Sequence, residues 1–345
     1  MEISLCMIVK NEVENLRGCL DSVEGLFDEI IVVDTGSDDK TKEVALRYTD
    51  KVYDFKWVDD FSMARNYSFS MATRDYIIWL DADDIITGEN KKKLLDLKKT
   101  LSSGIDVVFM PYDYIVDKGK TLQTCIRERI VKKSAGLKWT GEIHENIDCQ
   151  RTNKLYNSDV TITHTKRADG TDKSTRNLSI LENIIKKGSA SLKMVFYYAC
   201  ELDNHNRQNE AIRMFEIMFA NGGYTSEYCL DAFMTLYDLY IKKSDYRNAR
   251  QLCVDCAPYC KDRSEFCCTF GDFYHEYTKD IDCALSWYSA ALGCRVESDK
   301  FTSTRTLYYY CIPYLRLGRM YELKNDEKRS FVYIKKALEY CKNKA

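Results

Sequence analysis

The segment Tyr76-Ile77-Ile78-Trp79-Leu80-Asp81-Ala82-Asp83-Asp84 joins a continuous apolar run to a cluster of carboxylates. Similar apolar runs occur at 3–9, 30–33 and 107–110, and apolar residues at helical spacing follow the first of them. Short apolar runs that alternate with helices are typical of a parallel sheet covered by helices on both faces. The N-terminal half is therefore predicted to be an α/β domain with a mostly parallel, Rossmann-like sheet.

Polar residues follow three of these runs. Lys10-Asn11-Glu12 comes after the first run, Asp34 closes the second, and Asp81-Ala82-Asp83 follows the third. Ligands of such sheets bind at the carboxyl ends of the strands, so we expect a site at this edge. Two aspartates separated by one residue in an extended chain point to the same side, and their oxygens suit Mg²⁺ or Mn²⁺, which would bridge the protein to a diphosphate. A solvated, Asp-rich turn is the alternative interpretation.

Several segments resemble, in order and spacing, the successive motifs of family 2 glycosyltransferases of the GT-A fold. They are MIVKNE at 7–12, VVDTGSDDKT at 32–41, DFSMARN at 60–66 and WLDADD at 79–84. A later segment, from Arg127 to Val131 and from Trp139 to Glu145, is similar to a motif of the bacterial subgroup that carries helical repeats behind its catalytic domain. That subgroup includes peptide S-glycosyltransferases. The resemblance covers about residues 1–170 and implies a GT-A fold.

The resemblance implies a role for each matching residue. The residues that would contact the base and ribose of a nucleotide sugar are Ile8, Val9, Lys10, Glu12 and Asp34. Arg65 would reach the base or the diphosphate. Asp81 matches the position that meets ribose or a metal-bound water, and Asp83 matches the metal ligand. Thr35 stands where many members carry a second acidic residue, which weakens the expectation of a UDP-linked donor.

Two further residues complete the implied site. Glu145 falls where an inverting enzyme of this fold places its catalytic base, and His164 falls where a late histidine completes the metal shell. Structural roles fit the same residues. Glu145 could instead be a carboxylate at a helix N-terminus, and His144 and His164 could be hydrogen-bonded histidines in half-buried strands.

From about Ser191 the pattern changes to paired amphipathic helices. The alanines Ala211, Ala249 and Ala284 lie 38 and 35 residues apart, close to the period of about 34 residues of a tetratricopeptide repeat. A fourth, degenerate unit carries Ser330 at the equivalent position. We therefore expect a glycosyltransferase domain over 1–170, a connecting helix over 171–190 and all-α repeats over 191–345. Such arrays form concave surfaces, here for a polypeptide acceptor or for a second copy in a homodimer.

Composition excludes several classes of protein. The 345 residues carry 51 Lys and Arg against 53 Asp and Glu, a net charge of −2, so no overall field attracts nucleic acid. No apolar stretch approaches the roughly 18 residues of a membrane span, and the N-terminus lacks a basic leader, so we expect a cytoplasmic protein. The 15 cysteines are an odd number that cannot all pair within the chain, and we expect reduced, buried thiols. Cys253 and Cys256 have the spacing of a zinc half-site, but no second such pair follows.

The sequence thus predicts an inverting, metal-dependent glycosyltransferase that moves a sugar from a nucleotide-diphosphate sugar, expected to be UDP-linked, to a peptide or protein side chain held by the repeats. One alternative is a scaffold that keeps the nucleotide-sugar fold without turnover and acts through its repeats. The other is a sugar nucleotidyltransferase. That class needs a Gly-rich, basic phosphate loop after the first strand, where this chain has Lys10-Asn11-Glu12.

Overall fold

The computed structural model describes residues 1–117, 120–165, 173–188, 190–295 and 304–343. The chain divides into two compact units, the first made of Met1–Asp117 with Thr124–Thr171 and the second of Lys118–Gln123 with Asp172–Ala345. The expected boundary between residues 170 and 171 lies outside the described residues.

The first unit is an α/β domain. Its strands are β1 (Ile3–Val9), β2 (Glu29–Asp34), β3 (Val52–Asp54), β4 (Tyr76–Trp79), β5 (Asp84–Ile85), β6 (Val107–Asp117), β7 (Lys120–Lys132), β8 (Trp139–Thr140), β9 (Asn146–Ile147), β10 (Leu155–Asn157) and β11 (Ile162–His164). Its helices are α1 (Val13–Ser22), α2 (Thr41–Ala45), α3 (Phe61–Met71) and α4 (Gly88–Thr100). The main sheet has the order β3-β2-β1-β4-β7-β6-β11-β5, with β10 beside β6, while β8 and β9 form a separate pair.

The sheet is mostly parallel, as predicted, and both faces are covered. β2 and β4 pair with β1 in parallel, whereas β7 is antiparallel to β4 and β11 is antiparallel to β5. Alternate residues of β1 enter different cores, because side chains in a strand point to opposite faces. Leu5 and Met7 pack with Leu16 of α1 on one face, and Cys6 packs with Trp79 on the other.

Strand register brings the predicted polar residues to one edge. Val9 lies opposite Asp34 in the β1–β2 pair, and Cys6 lies opposite Trp79 in the β1–β4 pair. The three strands therefore end at the same edge of the sheet, at Lys10, Asp34 and Leu80. This arrangement confirms the fold class expected from the sequence.

The region after residue 110 differs in extent from the sequence expectation. The apolar pattern predicted only 107–110, but β6 continues to Asp117 and β7 adds a long strand beside it. β7 carries arginine, glutamate and lysine side chains within the sheet and so lacks an apolar run, which is why the apolar pattern did not predict it.

The second unit is helical. Its helices are α5 (Lys173–Lys186), α6 (Leu192–Asn204), α7 (Gln208–Ala220), α8 (Cys229–Lys242), α9 (Tyr246–Cys260), α10 (Ser264–Phe273), α11 (Ile281–Ala291), α12 (Leu307–Tyr310), α13 (Ile312–Leu323) and α14 (Glu327–Asn343). This unit also contains a short strand, β12 (Thr304–Arg305). The hydroxyl of the next residue, Thr306, donates a hydrogen bond to the Thr121 carbonyl at 2.8 Å within the same unit.

Consecutive helices of this unit pack as pairs, α6 with α7, α8 with α9, α10 with α11 and α13 with α14. The predicted marker residues Ala211, Ala249 and Ala284 are fully buried, and Ser330 is 7% exposed. The helical repeats expected from the sequence are therefore confirmed.

The described cysteines are all free thiols. Within the described ranges, no helix combines the length and the apolar character that crossing a membrane requires.

Candidate functional site

The loops after β1 and β2 are joined by hydrogen bonds. The Asn11 amide donates to the Ser37 hydroxyl at 3.0 Å, the Asp38 amide donates to the Asn11 side-chain oxygen at 3.0 Å, and the Glu12 amide donates to the Thr41 hydroxyl at 2.8 Å. Asn11 adopts a left-handed φ of 54°, a conformation that asparagine tolerates better than most residues. The first two sequence motifs thus form one connected rim at the sheet edge.

Asp34 presents an unused acceptor at this rim. The side chain is buried, and its Oδ1 accepts the backbone amides of Gly36 and Ser37, each at 2.8 Å. Its Oδ2 is also buried, and among the described residues no donor reaches it. Buried polar atoms are normally hydrogen-bonded, so an orphaned carboxylate oxygen here suits a ligand that brings a hydroxyl or an N–H group.

The other predicted donor-site residues of this rim differ in exposure. Val9 is buried, Ile8 and Glu12 are half-buried, and Lys10 is exposed. Glu12 accepts a hydrogen bond from the Asn15 side chain at 2.7 Å, which fixes it over the start of α1.

Arg65 joins two carboxylates that are distant in sequence. Its Nη2 donates to Asp81 Oδ1 at 2.8 Å and its Nε donates to Glu145 Oε1 at 2.5 Å. The guanidinium also lies 4.9 Å from the ring centre of Trp79 and 4.8 Å from that of Trp139. Two ion pairs and two aromatic faces therefore hold Arg65 in one place.

The same guanidinium sets the charge of Asp81. Burial alone would favour the neutral carboxyl, but the charges of Arg65 and, beyond it, Arg129 and Arg127 lower the pKa of Asp81 to about 2. The Asp81 side chain is 36% exposed, so an ionised carboxylate is open to a ligand at the strand end.

Glu145 lies in a loop, directly before β9. The Phe61 amide donates to the Glu142 carbonyl at 2.8 Å, and Gly141 and His144 have positive φ angles of 99° and 50°. The interpretation of Glu145 as a carboxylate at a helix N-terminus is therefore wrong, and His144 is not in a strand. The Glu145 side chain is only 9% exposed and is aligned by Arg65.

A second acidic group lies at the end of β11. One ligand atom each from Asp83, Asp84 and His164 lies within 4.8 Å of the others. The β5–β11 pair creates this proximity, because His164 lies opposite Asp84 and the Thr165 amide donates to the Asp83 carbonyl at 2.7 Å. His164 Nδ1 is 3.4 Å from Asp83 Oδ1 and 3.5 Å from Asp84 Oδ1. Carboxylate oxygens with one imidazole fit Mn²⁺, and Mg²⁺ less closely.

Asp84 is already occupied by protein donors. Its side chain is fully buried, and its Oδ2 accepts from Arg129 Nη1 and from the Asp81 amide, both at 3.0 Å. Its Oδ1 accepts a hydrogen bond from the Tyr112 hydroxyl at 2.9 Å. The same hydroxyl lies 3.1 Å from His164 Nδ1. Asp83 and His164 are therefore the ligand candidates open to solvent, and Asp84 positions them.

The protonation of His164 fits a cation at this point. Burial would lower its pKa, but the hydrogen bonds to Asp83 and Asp84 raise the pKa of His164 to about 10. The carboxylates thus favour a positive charge between them and the imidazole, and a bound metal ion would take the place of the imidazole proton.

Sequence reasoning missed the residues behind these ligands. Arg129 is fully buried, with its guanidinium 3.8 Å from the Trp79 ring centre and 4.4 Å from that of Tyr112. Arg127 lies two residues earlier on the same strand, 5.1 Å from Trp79. Two arginines at alternate positions of a strand point to the same face, a signal that the segment Arg127-Glu128-Arg129 contained.

Comparisons with known proteins agree with this geometry. Residues 4–162 match the family model described as glycosyl transferase family 2. The SPbeta prophage-derived glycosyltransferase SunS of Bacillus subtilis strain 168 is 28% identical over 261 residues, which cover 71% of this chain and 60% of SunS. A TPR repeat-containing protein of Synechococcus elongatus is 49% identical over 83 residues, which cover 24% of this chain and 21% of that protein.

Among solved structures, a crystal structure of MamA is 15% identical and covers 52% of this chain and 98% of MamA at a TM-score of 0.39. The chain spans 60% of SunS and about a fifth of the Synechococcus protein. Residues 4–162 of this chain are therefore similar to the glycosyl transferase family 2 model, and this similarity covers the first, α/β unit.

Proposed function

We propose that this chain is an inverting, metal-dependent glycosyltransferase that moves a sugar from a nucleotide-diphosphate sugar, with UDP as the expected nucleotide, to a peptide or protein side chain. The observation that carries the proposal is the Arg65 guanidinium, which contacts Asp81 on one side and Glu145 on the other. One rigid group thus connects the acid expected to meet the donor with the carboxylate expected to activate the acceptor.

The nucleoside part of the donor is assigned to the rim formed by the loops after β1 and β2. Asp34 supports this assignment, because its buried Oδ2 is an acceptor for a ribose hydroxyl or for a base N–H group. Ile8, Val9, Lys10 and Glu12 line the adjoining strand end. The contact of Arg65 with the base or diphosphate is what the resemblance implies, whereas the contacts of Arg65 in the structure are those to Asp81 and Glu145.

Asp83 and His164 would hold a divalent cation, Mn²⁺ or Mg²⁺. When bound there, the cation supplies positive charge to the diphosphate leaving group. The protein contributes the rest of the arrangement. Asp84 holds the backbone amide of Asp81, and the Tyr112 hydroxyl fixes the His164 ring, so that the ligands do not need to reorganise.

Glu145 is assigned as the general base. Arg65 holds its Oε1, which orients the carboxylate toward the site and leaves the second oxygen to take the acceptor proton. Attack from the face opposite the leaving group inverts the anomeric configuration, so a donor with an α bond gives a β product.

The acceptor is assigned to the repeats. Stacked helix pairs form concave surfaces that bind extended polypeptides, and a homodimer contact is the competing use. The proposal includes the division into a transferase domain over 1–170, a connecting helix over 171–190 and repeats over 191–345, and a cytoplasmic location.

Thermal unfolding with added ligands tests the donor site. We expect Mn²⁺ together with one nucleoside diphosphate of a UDP, GDP and ADP panel to raise the melting temperature of the wild type by about 5 °C at 100 times the dissociation constant. Asp83→Asn should lose the metal-dependent part of this shift. Asp96→Asn, which changes an exposed carboxylate of α4, is the matched control and should behave as the wild type.

A shift of equal size in Asp83→Asn would contradict the metal assignment. The absence of any shift in the wild type would favour a scaffold without turnover over a transferase.

A further inference from the structure

Three arginines surround the ring of Trp79 beside Asp81. The guanidinium carbons of Arg65, Arg127 and Arg129 lie 4.9, 5.1 and 3.8 Å from the ring centre. A donor with a diphosphate brings two negative charges to this edge, and a third develops on the nucleoside diphosphate as the sugar leaves, so a cation of the protein would stabilise this charge beside a divalent metal ion. The three arginines differ in their contacts and in the exposed fraction of their side chains.

Arg129 is closed to ligands. Its side chain is fully buried, it pairs with Asp84 at 3.0 Å, and it donates to the Trp79 carbonyl at 3.2 Å. Moving it would leave the buried Asp84 carboxylate without its counter-charge, which is costly. Arg129 therefore supports the strand end from behind.

Arg65 is also committed. Its side chain is 9% exposed, and it makes two charge-assisted hydrogen bonds of 2.5 and 2.8 Å to Glu145 and Asp81. The distance to Asp81 lies in the range of strong ionic hydrogen bonds, and the distance to Glu145 is shorter still. A diphosphate would have to replace these bonds before Arg65 could contact it.

Arg127 is bound weakly and is open to solvent. Its side chain is 28% exposed, its Nε lies 3.3 Å from Glu128 Oε2, and its Nη2 lies 3.4 Å from the Glu145 carbonyl. The 3.4 Å contact of Nη2 is at the weak end of the range, so it is readily exchanged for a short bond to a phosphate oxygen, while Nε keeps its pairing with the buried Glu128 carboxylate. The Arg127 guanidinium lies 5.1 Å from the Trp79 ring centre, next to the strand end that carries Asp81.

We propose that Arg127 is the arginine of this cluster that binds the diphosphate of the donor. The assignment rests on the proposed transferase function, because that function brings the diphosphate to this edge. Arg65 then keeps Asp81 and Glu145 in place while Arg127 contacts the phosphate oxygens and, after the sugar has moved, balances the charge of the leaving group.

Calorimetric titration of the full chain separates a phosphate contact from a structural role. The wild type, Arg127→Gln and Arg127→Lys are titrated, in the presence of MnCl₂, with the nucleoside diphosphate of UDP, GDP and ADP that the wild type binds best, and with the corresponding nucleoside. Arg151→Gln is the control, because it removes the same charge from a 77% exposed position of the same unit.

We expect Arg127→Gln to weaken diphosphate binding by at least about tenfold, the effect of losing one charge-assisted hydrogen bond, and to leave nucleoside binding within about twofold of the wild type. Arg127→Lys keeps the charge and should lose less affinity. Arg151→Gln should bind both ligands as the wild type does.

Two results would overturn the assignment. Diphosphate affinity of Arg127→Gln equal to that of the wild type would show that another group meets the phosphates. Equal losses of diphosphate and nucleoside affinity in both Arg127 variants would show that Arg127 maintains the shape of the site. If the wild type binds none of the three diphosphates, the proposed function itself fails, and the assignment fails with it.

Discussion

Asp84 shows how one buried carboxylate organises a site at the scale of single residues. It accepts from Arg129, from the Asp81 amide and from Tyr112, so it connects β7, the turn after β4 and β6. The sequence placed Asp84 in an acidic cluster next to two candidate ligands, but nothing in the spacing separates a ligand from a carboxylate that orients its neighbours. That distinction depends on partners 28 and 45 residues away along the chain.

Glu29 is a second carboxylate defined by partners that are distant in sequence. It is nearly fully buried and accepts hydrogen bonds from the Ser4 hydroxyl at 2.5 Å, from the Thr73 amide and hydroxyl at 2.8 Å, and from Lys51. Burial would raise its pKa, but the hydrogen bonds from Lys51, Ser4 and Thr73 lower the pKa of Glu29 to about 2. Stability from this group is thus fully present above pH 4.5 and is lost as the pH falls toward 2.

Replacing Glu29 with Gln tests this linkage. At pH 6 the variant should have a free energy of unfolding about 3 kcal/mol below that of the wild type, and the difference should shrink as the pH falls from 4.5 to about 2. Urea unfolding at a series of pH values measures it. A difference of the same size at pH 6 and pH 3 would contradict the assignment of a lowered pKa.

At the scale of elements, the helix pairs of the second unit depend on small residues where helices cross. A Cβ atom on Gly271 of α10 would lie 2.5 Å from the ring of Tyr288 on α11, a distance that requires the pair to separate. Tyr288 is fully buried and its hydroxyl donates to Asp272 at 2.6 Å, so the ring has little freedom to move.

Gly271→Ala should therefore destabilise the repeats by about 1–3 kcal/mol, the usual effect of overpacking. Gly18→Ala is the contrasting variant, because Gly18 also lies within a helix but has open space around its Cβ position. It should stabilise the first unit by about 0.5–1 kcal/mol, the difference in helix propensity. Thermal unfolding monitored by circular dichroism checks both. If Gly271→Ala left the melting temperature unchanged, the α10–α11 pair would have room for a Cβ atom at this crossing, which would contradict the packing of Gly271 against Tyr288.

Local patterns predicted the elements well where one rule dominated. The runs at 3–9, 30–33 and 76–80 became β1, β2 and β4, and the spacing of Ala211, Ala249 and Ala284 gave the helix pairs, because burial on both faces or a close crossing leaves few choices of residue. β7 was not predicted. One of its charged residues, Arg129, pairs with Asp84 on another strand, and a local pattern does not contain that partner.

For the molecule as a whole, the candidate site is assembled from segments that the sequence motifs had singled out separately. Asp34, Asp81 and Glu145 come from three parts of the chain, and Asp83 meets His164 across 81 residues. The motifs singled out these residues, and their functional roles stay predictions. Their connections through Arg65, Arg129 and Tyr112 follow from the folded sheet, and only the distances between side chains distinguish the group open to a diphosphate from those that hold the site in place.

The central claim is that this edge of the sheet transfers a sugar with Glu145 as the base. The most direct measurement is the release of nucleoside diphosphate from a panel of nucleotide sugars in the presence of Mn²⁺, with water as the acceptor, by the wild type, Glu145→Gln and Glu89→Gln. Glu89 is an exposed residue of α4 and serves as the control.

We predict that the wild type consumes one donor of the panel, that Glu89→Gln matches it, and that Glu145→Gln lowers kcat by at least about 100-fold with little change in the KM for the donor. If Glu145→Gln turned over the donor as fast as the wild type, the base would lie elsewhere, and if the wild type consumed no donor, the proposed transfer reaction would be contradicted.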